Sequence, residues 1–303
     1  MSSQNRYLIY QAYGSQAILT EVLFSAASVL AQSIDPPQIV IYTDQTDWFR
    51  QYRWLEGTQY IPLNPTMLAT WAGPDKFVHR VKICILADAA TQFDGKLIYL
   101  DSDTLVMTDI NKLFGVIGPE VHLTHTNEGS LRDSALRLNR KIGQYMRGKS
   151  WMIDGQPKSI GLETQMYNAG VLGMTTADGQ VLLPKVLHLT DQLYHTWPKH
   201  TMEQLAFSYV LGQHQVIDTT ASVLHYWKLK ALRPQLIDLA KQQLAAQPDH
   251  SARDLIQALN ARYDFPTLLA HQNAWDAKPS IWRKILTLMG KGWDLQKQQL
   301  LHN

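Results

Sequence analysis

Over the first hundred positions, apolar residues alternate between short continuous runs and longer stretches with helical spacing. Tyr7-Leu-Ile-Tyr10 reads as a strand, followed by a break at Gly14-Ser15. Ser15 is placed to cap the amphipathic segment that ends near Gln32. Asp35-Pro36-Pro37 forces a turn, since neither proline continues a helix. Gln38-Ile-Val-Ile-Tyr42 is a continuous β-branched run, the pattern of a strand buried on both faces. A third strand is expected at Gln59-Tyr-Ile61. Pro74-Asp75 opens a helix to about Gln92, with Val78, Val81, Ile85 and Leu86 on its apolar face. After the Asp94-Gly95 turn, Lys96-Leu-Ile-Tyr-Leu100 is a fourth strand. Strands alternating with helices predict an α/β fold with a mainly parallel sheet, and such sheets bind ligands at the carboxyl ends of their strands. Past residue 230 the strand pattern ends, and a Gln-, Ala- and Leu-rich helical region follows. The expected division is therefore a body over 1–230 and a helical C-terminal extension over 231–303.

Composition narrows the class without naming a function. The 303 residues are 45% apolar and 18% charged, which excludes a disordered or collagen-like chain. A net charge of +2 is too weak to imply a nucleic-acid partner. The total conceals a division: residues 228–303 carry eleven Lys and Arg against six Asp, or +5, leaving −3 for 1–227. Cys84 is the only cysteine, so neither an intrachain disulfide nor a thiolate zinc cluster is expected. The first residues, Met1-Ser-Ser-Gln-Asn-Arg6, lack the pattern of a cleavable leader. The most apolar helical stretch, 17–31, is interrupted by Thr20, Glu21 and Ser25 and is too short to cross a bilayer. A cytoplasmic protein is the expectation.

The most informative segment is Leu97-Ile-Tyr-Leu-Asp101-Ser-Asp103-Thr-Leu-Val106. A hydrophobic strand delivers two carboxylates, one residue apart, to its carboxyl edge. Their repulsion is relieved by a hard divalent cation with oxygen ligands, Mn²⁺ or Mg²⁺, and such an ion also neutralises a bound diphosphate. The structural alternative is a strand-to-loop transition in which Asp simply caps and turns. Two enzyme classes place Asp-x-Asp after an apolar strand. In haloacid-dehalogenase phosphatases the first Asp, here Asp101, is the nucleophile and Gly-Thr follows the second; here Thr104-Leu105 follows. The other class is the metal-dependent glycosyltransferases of the GT-A fold.

Four features in order, spanning roughly residues 6–230, resemble the retaining GT-A glycosyltransferases of family 8, the group of glycogenin and bacterial lipooligosaccharide galactosyltransferases. The strand at 7–10 with Gln11-Ala12-Tyr13 resembles the edge that holds the uridine. His79-Arg80-Val-Lys82 resembles the family's Tyr-Ala-Arg-hydrophobic-Lys. Met166-Tyr-Asn168-Ala169-Gly-Val-Leu172 resembles its Phe-Asn-Ala/Ser-Gly-Val segment, and His225-Tyr226 resembles the late His that completes the metal site. The resemblance implies a single GT-A, Rossmann-like domain with Mn²⁺ or Mg²⁺ held by Asp101, Asp103 and His225. An imidazole nitrogen in that set suits Mn²⁺ better than Mg²⁺. It also implies donor contacts from Gln11, Ala12, Tyr13, Arg80, Asp101, Ser102, Asp103, Asn168, Ala169 and Lys228 or Lys230. Thr201-Met-Glu203-Gln204 stands where the family carries Asp-Gln near the anomeric carbon, so Glu203 and Gln204 are the catalytic candidates. Glu203 departs from the family's Asp, and Ala231 stands where its lysine is common.

The implied reaction moves a sugar from a nucleotide diphosphate-sugar, a UDP-hexose, to a hydroxyl of a glycan or lipid-linked saccharide, with retention. Front-face attack and a covalent route through Gln204, Glu203 or Glu163 are equally compatible with the sequence. A phosphatase using Asp101, and a member that binds nucleotide-sugar without turnover, are the alternatives. The last helical segment, 280–289, carries Trp282, Ile285, Leu286 and Met289 among Arg283, Lys284 and the nearby Lys291. It either docks back on the body or makes a peripheral contact with an anionic membrane.

Overall fold

The computed structural model describes residues 5–246 and 251–276, with 278, 282, 286, 287 and 289 beyond them; most of the 280–289 segment lies outside the described residues. A seven-stranded sheet is built from β1 (Arg6–Ala12), β2 (Gln38–Thr43), β3 (Gln59–Pro62), β4 (Lys96–Leu100), β5 (Val121–Thr124), β6 (Val171–Thr175) and β7 (Gln215–Asp218), in the order 7-5-6-4-1-2-3. β4, β1, β2 and β3 are parallel neighbours, as are β5 and β7, and β6 alone runs against both of its neighbours. The fold is thus α/β with a mainly parallel sheet.

The continuous apolar runs exist because both sheet faces are covered. Leu8, Tyr10, Ile39, Ile41, Ile98 and Leu100 point into one core, and Ile9, Val40, Tyr42, Leu97 and Tyr99 into the other. The first face carries α1 (Gln16–Gln32), which Ser15 caps through its hydroxyl. The helix α2 (Pro65–Ala72) precedes α3 (Val78–Gln92), which lies on the second face with α4 (Thr176–Thr196) and α5 (Met202–Leu211). α3 begins at Val78 rather than at Pro74-Asp75. Lys76 has φ +52°, which no right-handed helix accommodates, and Phe77 is extended.

Beyond residue 230 come α6 (Arg233–Ala246), α7 (Ala252–Arg262) and α8 (Phe265–Asp276). Leu236, Leu239, Leu255, Leu259 and Phe265 from these helices share one buried cluster with Leu19, Val22, Leu23 and Ala26 of α1. α1 is therefore covered on both sides, by the sheet and by α6 and α7, which is the condition under which a helix is apolar nearly all round. Among the described residues no helix is long and apolar enough to cross a membrane.

Candidate metal and donor site

The acidic loop leaves the carboxyl end of β4, where the Asp101 amide donates to the Gly170 carbonyl at the start of β6 (2.8 Å). The chain then forms a short strand, Thr104–Val106, which pairs antiparallel with Val223–His225. His225 sits opposite Thr104 in that register, so a two-strand ribbon brings the imidazole to the acidic pair across 122 residues. His225 Nε2 lies 3.1 Å from Asp103 Oδ1 and 4.0 Å from Asp101 Oδ2. Among the described residues one group of three His, Cys, Asp or Glu side chains is close enough to hold an ion: Asp101, Asp103 and His225, with ligand atoms within 4.8 Å of one another.

The imidazole is held from behind. His225 Nδ1 donates to Asn168 Oδ1 (3.1 Å), which also accepts from the Gly170 amide (3.0 Å). A Cβ at Gly170 would stand 2.3 Å from the His225 ring, so only glycine leaves the ring its place. With Nδ1–H committed to Asn168, Nε2 is the nitrogen that faces the carboxylates. Burial alone would raise the Asp103 carboxyl, but the hydrogen bond and charge of His225 and the charge of Lys230 outweigh it and hold it down to about 2. Two carboxylates and one outward imidazole nitrogen are a donor set that fits a hard divalent cation.

Lys82, which closes the motif His79-Arg80-Val-Lys82, is buried under the site. Its ammonium donates to Asp101 Oδ2 (3.3 Å), Glu203 Oε1 (3.3 Å) and the Ala169 carbonyl (3.1 Å). Burial disfavours the charge, yet Asp101 and Glu203 push Lys82 up to about 12, so it stays ionised. Tyr99 donates to Asp101 Oδ1 (2.9 Å), fixing that carboxylate from a second side. Glu203 is also tied by its own helix, since Oε2 accepts from the Gln204 amide (2.7 Å).

A further carboxylate, Glu128, was not foreseen. It lies on the strand Asn127–Ser130, which pairs with Gln165–Tyr167. Its oxygens accept from Gln204 Nε2 (2.9 Å), Asn168 Nδ2 (3.2 Å) and Asn139 Nδ2 (3.0 Å). It thereby joins Gln204 and Asn168 in one polar wall beside the Asp101–Asp103–His225 cluster. The polar run His125-Thr-Asn-Glu128-Gly-Ser130, just past an apolar strand, was the available signal.

The remaining candidates divide. Gln11 and Ala12 end β1 next to β4, and Gln11 Oε1 is buried with no hydrogen-bond partner among the described residues. Burial pushes the half-buried Tyr13 hydroxyl up to about 12, against the nearby Lys82 charge. Ser102 turns inward to Glu21 (3.0 Å). Arg80 faces away: its guanidinium makes a bidentate pair with Asp191 on α4 (2.7 and 3.1 Å) and donates to the Trp71 carbonyl. Positions 80 and 82 stand about 200° apart on a helix, so one can face α4 only if the other faces the site. Lys228 donates to Asn273 (2.6 Å), whereas Lys230 Nζ stands 3.9 Å from Asp103 Oδ2. Glu163 is engaged with Arg132 at the surface.

No protein-family model matches the chain, and comparison with curated proteins gave no match. Several solved glycosyltransferase structures share a similar course of the backbone. Mouse xyloside xylosyltransferase 1 is 12% identical, with a TM-score of 0.48 over 71% of this chain and 84% of that one. The galactosyltransferase LgtC, in complex with donor and acceptor sugar analogs, is 14% identical, with 0.46 over 70% and 73%. The glycosyltransferase GlyE of Streptococcus pneumoniae TIGR4 is 15% identical, with 0.47 over 83% and 66%. These likenesses concern the backbone alone, and the residue assignments rest on the geometry above.

Proposed function

We propose that the protein is a metal-dependent glycosyltransferase that moves a hexose from a nucleotide diphosphate-sugar, a UDP-hexose, to a hydroxyl of a glycan or lipid-linked saccharide with retention, as in family 8. The observation that carries this reading is the Asp101–Asp103–His225 cluster at the carboxyl edge of a mainly parallel sheet, walled by Glu128, Asn168 and Gln204. Bound there, Mn²⁺ or Mg²⁺ would neutralise a departing diphosphate as a Lewis acid. Asp101, Asp103 and His225 hold the ion, and Lys82 and Tyr99 fix the Asp101 carboxylate. Lys230, next to Asp103, is the cation best placed for a phosphate. Gln11, Ala12 and Tyr13 line the nucleotide side, with the unpartnered Gln11 oxygen accepting from the base or ribose.

Glu128, Asn168 and Gln204 offer oxygens and amide donors for sugar hydroxyls. Glu203, gripped by Lys82, serves to orient Gln204 and carries no covalent sugar. That arrangement favours front-face attack, in which the acceptor proton passes to the leaving phosphate oxygen. The basic segment 280–289 provides a peripheral contact with an anionic membrane that holds lipid-linked acceptors. Replacing Arg283, Lys284 and Lys291 by Ala in the full chain lowers co-sedimentation with anionic vesicles; unchanged binding refutes the contact.

A thermal-shift panel of nucleotide-sugars with and without Mn²⁺ tests the central reading. One donor is expected to raise Tm only in the presence of metal, and to be hydrolysed slowly when no acceptor is supplied. No metal-dependent shift with any donor, or hydrolysis of a generic aryl phosphate instead, overturns it.

A further inference from the structure

The polar interruptions in the apolar stretch of α1 have a common orientation. Glu21, Ser25 and Ser28 stand at i, i+4 and i+7, one face of a helix, and are all buried. That face meets the acidic loop and the short strand that follows it, rung by rung. Ser102 donates to Glu21 Oε2 (3.0 Å), Ser25 Oγ lies 2.8 Å from Thr104 Oγ1, and the Val106 amide donates to Ser28 Oγ (2.8 Å). Ser102 lies on the turn between the two aspartates, and Thr104 and Val106 on the short strand that follows it, so the helix face holds both the turn and the strand.

The direction of each hydrogen bond is fixed by its neighbours. Thr104 donates to the Asp101 carbonyl (2.8 Å), so it accepts from Ser25. Ser25 has then spent its proton and accepts from the Tyr10 hydroxyl (3.0 Å), while Ser28 donates to the Ser25 carbonyl (2.6 Å). Every hydroxyl on this seam has one consistent role.

The charged rung needs a partner, because Glu21 is fully buried and burial raises its carboxyl toward the neutral form. Arg233, the first residue of α6, supplies it with a two-pronged pair of 2.8 and 2.8 Å. Arg233 and Glu21, 212 positions apart, thus join the C-terminal extension to the body, and Glu21 in turn holds Ser102, the residue between Asp101 and Asp103.

We propose that this seam is a positioning device: Glu21, Ser25 and Ser28 set the backbone of the Asp101–Asp103 loop, and Arg233 holds the charged rung in its working state. The inference rests on the metal-site reading for its consequence but not for its geometry. Outer-shell partners of ligating groups typically influence metal affinity by about 10–100-fold.

The test uses the full chain and the variants Arg233→Met, Arg233→Lys and Ser102→Ala, well below their Tm. Amide hydrogen exchange across residues 101–106 is read without metal, and Mn²⁺ affinity by electron paramagnetic resonance. Arg233→Met is expected to speed exchange in that segment and weaken Mn²⁺ by about tenfold or more, with partial recovery in Arg233→Lys. Ser102→Ala, which leaves the Glu21–Arg233 pair intact, carries the test if Arg233→Met does not fold, and is expected to speed exchange at 101–104. Unchanged exchange in the folded variants overturns the inference. Absence of Mn²⁺ binding by the unaltered protein sinks the metal-site reading instead, and the exchange data still decide the positioning role.

Discussion

His225 reaches the acidic pair because Gly170 offers no side chain at the point where the ring passes. Gly170→Ala should push the imidazole off Asp103 and weaken Mn²⁺ binding by about tenfold or more, as read by titration calorimetry. Lys82 is the costlier residue to lose. Its removal leaves Asp101 and the buried Glu203 without their shared cation, so Lys82→Met should cost about 3–5 kcal/mol in urea denaturation. His125, stacked edge-on against His225 at 5.1 Å, gives a pH signature. Burial, then the charge of His225, push it down to about 4, so between its ordinary value of 6.5 and that level the unfolded chain binds a proton that the native chain refuses. Stability therefore falls as pH drops through this window, and His125→Gln should flatten that part of the Tm curve. The Asp-x-Asp pair and His225 were legible as chemistry-bearing residues in the sequence. Glu128 was not, since a polar run after an apolar strand does not single out one carboxylate until Gln204, Asn168 and Asn139 converge on it.

At the scale of elements, local pattern determined much and orientation little. The strands at 7–10, 38–42 and 96–100 were legible because both sheet faces are covered, which leaves unbroken apolar runs. The start of α3 was misplaced because Pro74 is an acceptable first helical residue, while Lys76 in the left-handed region is a property of the folded turn. α3 also separates the two cations of the motif His79-Arg80-Val-Lys82. The helix turns Arg80 to Asp191 and Lys82 to the site, a choice that the packing of α3 against α4 makes. α1 and α7 belong to one packed unit, so Leu255→Ala at their contact should cost about 2–5 kcal/mol, measured by denaturant unfolding.

For the whole molecule, the division at residue 230 marks a change of secondary structure within a continuous core. Leu236, Leu239, Leu255 and Leu259 bury the outer side of α1, and Arg233 reaches the acidic loop through Glu21. Body and described extension should therefore unfold in a single transition, with near- and far-ultraviolet circular dichroism coinciding; two separated transitions would contradict the shared core. The charge split into −3 and +5 takes on a different meaning in this setting, because one of the basic residues in the extension is a structural counterion for a buried glutamate.

The strands at 7–10, 38–42, 59–61 and 96–100, the α/β class and the acidic pair at a strand end follow from the sequence alone, since backbone geometry and burial act locally and leave periods of 2 and 3.6 in the chain. Which charges meet was decided only in three dimensions. Lys82 with Glu203, Glu21 with Arg233, and Asp103 with His225 are separated by 121, 212 and 122 residues. A buried charge is tolerated only when an opposite charge arrives from another element, and that arrival depends on sheet order and helix rotation, which no local pattern encodes.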